Sequence, residues 1–187
     1  MPVFREAAFV LAAHDLAQLP PAAGVEVAFA GRSNAGKSSA INAIVRRRRL
    51  AFVSNTPGRT QAINFFSLGA QRFLVDLPGY GYAAVSKEER RNWGTLISTY
   101  IRSRRSLRGL IVVMDARHPF TPLDLQLLNW IAPLGTANHV LLTKADKLGK
   151  REAATALIRA ESTVSQWARC SVQLFSATTG GGVEAAQ

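Results

Sequence analysis

Short apolar runs alternate along this chain with longer stretches in which apolar residues recur at helical spacing. The runs predict strands near 25–30, 62–68, 71–76, 108–115, 138–143 and 171–176. The periodic stretches predict helices near 37–46, 86–104, 122–132 and 150–168. Ser86 and Glu89 have the spacing of a capping box, and Thr121 stands as an N-cap residue before Pro122 at the first helical position. Gly69-Ala70 joins two strands in a tight, hairpin-like turn. The rest is β–α alternation. It implies an α/β fold, a mostly parallel six-stranded sheet with helices on both faces and the ligand at the carboxyl ends of the strands. No repeat or linker divides the chain. Residues 1–24 are expected to form a segment docked on a single domain spanning 25–187. Within that segment the apolar run Ala7–Ala13 is cut short by His14 and Asp15, with no small-residue cleavage site after it, which fits docking better than a signal peptide. After the last strand, residues 178–187 leave room for a shortened C-terminal helix of a turn or so.

Composition narrows the setting. Hydrophobic residues make up 48% of the 187 positions, enough for one core, and no stretch approaches a membrane-spanning length. Cys170 is the only cysteine, so no intramolecular disulfide can form, which suits a cytoplasmic protein. Lys and Arg number 23 against 12 acidic residues, a net charge of +11 that calls for a polyanionic partner, most simply nucleic acid. Arg46, Arg47, Arg48 and Arg49 follow the first helix; a helix C-terminus attracts cations, but four in a row exceed that need. They are candidates for contact with RNA phosphates. No RNA-binding module signature is present, so recognition by shape and phosphate is expected.

The strand at 25–30 runs into Gly31-Arg32-Ser33-Asn34-Ala35-Gly36-Lys37-Ser38, a glycine-rich loop opening a helix, with Ser39 next. Gly31 and Gly36 let the backbone curl round a phosphate chain, and the amides of the loop and first helical turn point at the anion. Lys37 is placed to reach β- and γ-phosphates, and the Ser38 hydroxyl to ligate Mg²⁺. Asp76-Leu77-Pro78-Gly79 closes another strand. Asp76 is a candidate for holding Mg²⁺, and the Gly79 N–H for meeting the γ-phosphate. Thr143-Lys144-Ala145-Asp146 ends a third strand. A carboxylate there offers two acceptors to the N1–H and 2-amino donors of guanine, a pair adenine lacks, and the Lys144 stem can lie over the base. Phe175-Ser176-Ala177 follows one β–α unit later, where the Ala177 N–H could meet guanine O6. The loop Ser54–Gln61 carries Thr56 and Thr60, either of which could place a hydroxyl on Mg²⁺. A P-loop ATPase or kinase acting on a small molecule is the competing reading, and Asp146 speaks against it. A third is an RNA-binding factor with a structural nucleotide.

These segments together resemble the EngB (YihA/YsxC) family of bacterial GTPases, in the TrmE-Era-EngA-EngB-septin-like superfamily. The likeness rests on Glu26–Ser39, Thr56–Gln61, Asp76-Leu-Pro-Gly-Tyr-Gly-Tyr-Ala83, Asp115-Ala-Arg-His-Pro119 and Thr143–Asp146, spread over nearly the whole chain. It implies a Ras-like P-loop G domain, GTP hydrolysis to GDP with Mg²⁺, a role in assembling the large ribosomal subunit, and a link to cell division and septation. It selects Thr60 over Thr56 as the switch threonine, with Gly58 and Arg59 beside it. By resemblance the catalytic set is Lys37, Thr60, Asp76 and Gly79, with Ser38, Thr60 and Asp76 on the metal. A monomer with no membrane attachment is expected. Tyr80 stands where a Ras-type enzyme has its water-orienting glutamine, which implies slow hydrolysis without an activator. Asn34 resembles the P-loop asparagine of potassium-stimulated relatives; tolerance of the loop's backbone angles explains it equally well. Thr143 replaces the usual asparagine, which implies modest guanine affinity.

Overall fold

The structure is a computed structural model that describes residues 2–51, 62–80 and 87–187. The expected switch loop, with Thr56, Gly58, Arg59 and Thr60, lies outside the described residues, as does Ser86 of the expected capping box. Seven strands form one sheet: β1 (Ala8–Ala13), β2 (Val25–Gly31), β3 (Ile63–Ser67), β4 (Arg72–Asp76), β5 (Leu107–Asp115), β6 (Ala137–Thr143) and β7 (Cys170–Leu174). Their order is β1-β3-β4-β2-β5-β6-β7. From β4 to β7 every neighbouring pair is parallel, while β1–β3 and β3–β4 are antiparallel. All strands but β3 therefore run the same way, and the carboxyl ends of six strands open on one edge.

The expectation of six strands is corrected to seven. Residues 8–13 do not merely dock; they pair with β3 as an edge strand. The alternation that marks a strand is missing because β1 is exposed over its first half and its register shifts between Phe9 and Leu11. The turn at Gly69-Ala70 does join β3 to β4, with Gly69, Ala70 and Gln71 all at positive φ.

Period-two alternation divides the core between the two faces of the sheet. Ala28, Ala30, Val112, Met114, Val140 and Leu142 face one side with Tyr100, Leu128 and Val164, which come from α2 (Lys87–Ser103), α3 (Pro122–Ile131) and α4 (Lys150–Val164). Phe29, Val113 and Leu141 face the other, with Ile41 and Ile44 of α1 (Lys37–Ile44) and Val183 of α5 (Val183–Ala186). Helix α4 stops short of the expected residue 168 because the chain turns back: the Trp167 amide bonds the Val164 carbonyl at 3.0 Å and its indole N–H reaches Asn129 at 3.2 Å. The single turn of α5 covers little sheet, but the Gln187 side chain donates to the Ile44 carbonyl at 2.5 Å and ties it to α1.

At the amino end of β2, Glu26 is 1% exposed and fully engaged. It accepts from the Tyr100 hydroxyl at 2.7 Å, the Ser106 hydroxyl at 2.7 Å and the Arg104 guanidinium at 2.7 to 3.0 Å. This network fastens the end of α2 to the central strand, away from the edge where the ligand motifs gather.

Candidate nucleotide site

Gly31 ends β2 where it presses on β5; a Cβ there would lie 2.7 Å from the Val113 carbonyl oxygen, so only glycine fits. The loop then turns through Asn34 (φ 62°) and Gly36 (φ 94°) into α1. Ala35 is buried, Asn34 exposed, and Ser33, Ser38 and Ser39 half-buried. Lys37, in the first turn of α1, is buried and paired with Asp76 at the end of β4. A buried ammonium and a buried carboxylate require each other or an equivalent ion, because either left alone carries a large desolvation cost. Leu77 and Pro78 continue from β4 as buried residues, and the Leu77 amide bonds the Phe29 carbonyl at 3.0 Å. Gly79 lies against the loop: a Cβ on it would sit 3.2 Å from the Ser33 nitrogen. The Arg32 side chain turns away toward Asp124, 3.4 Å off.

The segments expected to read the base lie at the same edge and are bonded to the loop. The buried Thr143 hydroxyl lies against the Ala35 carbonyl and 2.9 Å from that of Met114, so it bridges β6 to the P-loop. Lys144 adopts φ 58°, and its ammonium reaches the Asn34 carbonyl at 2.7 Å and the Asp115 carboxylate at 3.0 Å. Both ends of its stem are fixed, which makes the stem a flat apolar strip beside the loop. Asp146 accepts from the Ser176 hydroxyl at 2.6 Å, a bond that holds its carboxyl below the usual carboxylate range. The Ala145 amide bonds the Phe175 carbonyl at 3.1 Å, drawing the segment after β7 up to the one after β6, and Ala177 follows in an exposed turn.

A family model described as a 50S ribosome-binding GTPase matches residues 26–144. A "Probable GTP-binding protein EngB" from Methylobacillus flagellatus is 56% identical over 189 residues, covering 100% of this chain and 91% of that one. The chain belongs to the EngB family of GTP-binding proteins. A second EngB relative, from Nitrosomonas europaea, is 58% identical over 99% of this chain and 84% of its own length. Among solved structures, the "Crystal structure of a probable GTP-binding protein engB" superposes with a TM-score of 0.66 at 20% identity, over 87% of this chain and 94% of that one. Era in complex with MgGDPNP and nucleotides 1506–1542 of 16S ribosomal RNA gives 0.68 at 19% identity, over 87% of this chain and 54% of that one. At such identities these two likenesses carry the fold alone.

Two features of this EngB-family site were not assigned from the sequence. Asp115, at the end of β5, holds Lys144 in place and is itself gripped by Arg117 through bonds of 2.9 and 2.6 Å. The Arg117 bonds keep its carboxyl far below the ordinary range despite burial. Its signal was available: like Asp76, it is an aspartate closing an apolar strand. The second feature is Asp124, buried at the start of α3, three residues after the N-cap Thr121. Among the described residues no group of three or more His, Cys, Asp or Glu could hold a metal, and no helix is long and apolar enough to cross a membrane.

Proposed function

We propose that this EngB-family protein is a cytoplasmic, Mg²⁺-dependent GTPase switch that acts in assembly of the large ribosomal subunit, with a consequent role in cell division and septation. The observation that carries the nucleotide reading is the clasp formed by Thr143 and Lys144. It bonds the base-reading strand end directly to the phosphate loop, so that Asp146 and Lys37 address two parts of one molecule. Asp146, oriented by Ser176, accepts from the two guanine donors. An adenine would offer no donor pair to it, leaving Ser176 as its hydrogen-bond partner on one oxygen and no base donor on the other, which discriminates strongly. The P-loop amides and Lys37 bind the phosphates.

Asp76 and Ser38 offer hard oxygen ligands beside Lys37, a donor set that suits Mg²⁺ if phosphate oxygens complete the shell. The ion supplies charge neutralisation at the β- and γ-phosphates. Thr60 is the proposed second hydroxyl ligand. Tyr80 gives no water-orienting amide, so hydrolysis is slow until a partner assists. A potassium ion held with help from Asn34 is a further accelerator in this scheme; an unchanged rate on exchanging K⁺ for Na⁺ removes it.

The ribosomal reading is supported by the family description and by Arg46–Arg49, all exposed past the end of α1. The test has two arms. Fluorescent GDP should be displaced by GDP and not by ADP; displacement by both would return the protein to the ATPase or kinase class. Co-sedimentation with large ribosomal subunits should require a non-hydrolysable GTP analogue. Equal binding with GDP would leave an RNA-binding factor whose nucleotide is structural.

A further inference from the structure

A carboxylate that merely caps a helix needs one oxygen and stays wet. Asp124 is 0% exposed, and its second oxygen is directed elsewhere. Oδ2 serves the cap, accepting from the Thr121 amide at 2.9 Å and the Thr121 hydroxyl at 2.7 Å. Oδ1 accepts from the Tyr80 hydroxyl at 2.9 Å and lies 3.4 Å from Arg32 Nε. One side chain on α3 thus touches both the P-loop and the residue that follows Gly79.

The backbone of Tyr80 is tied to the P-loop at two points. Its N–H donates to the Gly31 carbonyl at 3.2 Å, and its carbonyl accepts from the Ser33 amide at 3.1 Å. That is an isolated strand-like bridge beyond the end of β4, just past Pro78, which has no N–H to contribute. A bridge of two bonds is weak alone. The phenol supplies a third attachment, and burial together with the neighbouring carboxylate keeps it protonated and donating. Gly79 is caught between this anchored residue and the loop.

We propose that Asp124 is a positioning residue for the triphosphate state: by holding Tyr80 it keeps Gly79 against the P-loop, where its N–H can meet the γ-phosphate. This rests on the reading of the site as a GTPase. Asp124 and Tyr80 then discriminate GTP from GDP without touching either, because only GTP has the group that Gly79 addresses.

The test compares the wild type with Tyr80→Phe, Asp124→Asn and the double variant. Affinities for GDP and for a non-hydrolysable GTP analogue are measured together with single-turnover hydrolysis. Each single variant should lose about tenfold in analogue affinity, the effect of one charge-assisted hydrogen bond. GDP affinity should stay within about twofold, since none of the bonds to a diphosphate pass through this contact. The double variant should be no worse than the worse single one, because both remove the same contact. Equal losses for GDP and the analogue would overturn the proposal, as would a lower melting temperature with unchanged nucleotide affinities. Faster hydrolysis would also overturn it, since it would make the contact a brake. Tyr80→Phe leaves the α3 cap intact and decides the matter if Asp124→Asn does not fold. A wild type that binds no guanine nucleotide would instead overturn the GTPase reading itself.

Discussion

In the proposed reading Asp146 meets guanine as a carboxylate, and the Ser176 bond extends that ionised form to lower pH. The Ser176 bond is the largest influence on its titration, pulling it below the ordinary value of 3.8, with burial opposing. A depressed carboxylate stays charged until the pH falls through its lowered value, so guanine contact is retained under mild acid and lost only below. Ser176→Ala removes the depressing bond, and GDP affinity measured by titration should begin to fall at a higher pH than in the wild type. Asp146→Asn should weaken GDP binding by about 10- to 100-fold at neutral pH, the loss of hydrogen bonds to a charged acceptor. Both residues were legible in the sequence, as was nearly the whole P-loop, because each is fixed by local order: a strand, a turn, a required residue type. The partners of Asp115 and Asp124 were not. The roles of these two aspartates depend on which distant side chain arrives beside them, and nothing near Asp115 in sequence announces Lys144.

Elements show a similar division. The central strands β2, β5 and β6 announced themselves through apolar runs buried on both faces, and α3 through Thr121 and Pro122. β1 escaped because an edge strand is bonded on one side only and need not alternate. The length of α2 was readable, but not what fastens its end to β2. That fastening is Glu26, and its removal has a measurable outcome. Glu26→Ala would leave Arg104, with an 8% exposed side chain, as an unpaired buried cation. The expected cost is about 3 kcal/mol or more, seen as a lower urea midpoint with unchanged slope. Nucleotide affinity of the folded variant should change little, because Glu26 lies at the end of β2 opposite the P-loop. Gly31→Ala acts at the other end. Its Cβ would drive β2 from β5 at the Val113 carbonyl, so it should lower both the melting temperature and GDP affinity.

Across the molecule as a whole, positive charge dominates. Arg46–Arg49 are exposed, yet two are already engaged within the protein: Arg47 donates to the Ala7 carbonyl at 2.8 Å and Arg46 pairs with Glu184 at 3.6 Å. Replacing all four with alanine should flatten the salt dependence of large-subunit binding by about one in slope for each phosphate the variant no longer neutralises. An unchanged slope would place the footprint elsewhere. The Arg47→Ala change alone should also loosen β1, measurable as faster amide exchange in residues 8–13.

The geometry of α1 has a further consequence. The helix starts at Lys37, the lysine proposed to bind phosphate, and ends just before the basic run, and eight residues span only about 12 Å. Two polyanions would then be held at opposite ends of one short rod, separated by about one and a half times the Debye length of about 8 Å at physiological ionic strength. The extra negative charge of a γ-phosphate would thus be mostly screened from a partner at the arginines. What cannot pass electrostatically has to pass mechanically, through shape changes at the edge where Gly79 and Tyr80 meet the loop. Dilute buffer removes the screening and would let the two anions repel each other, a cross-talk that the protein would not experience in the cell.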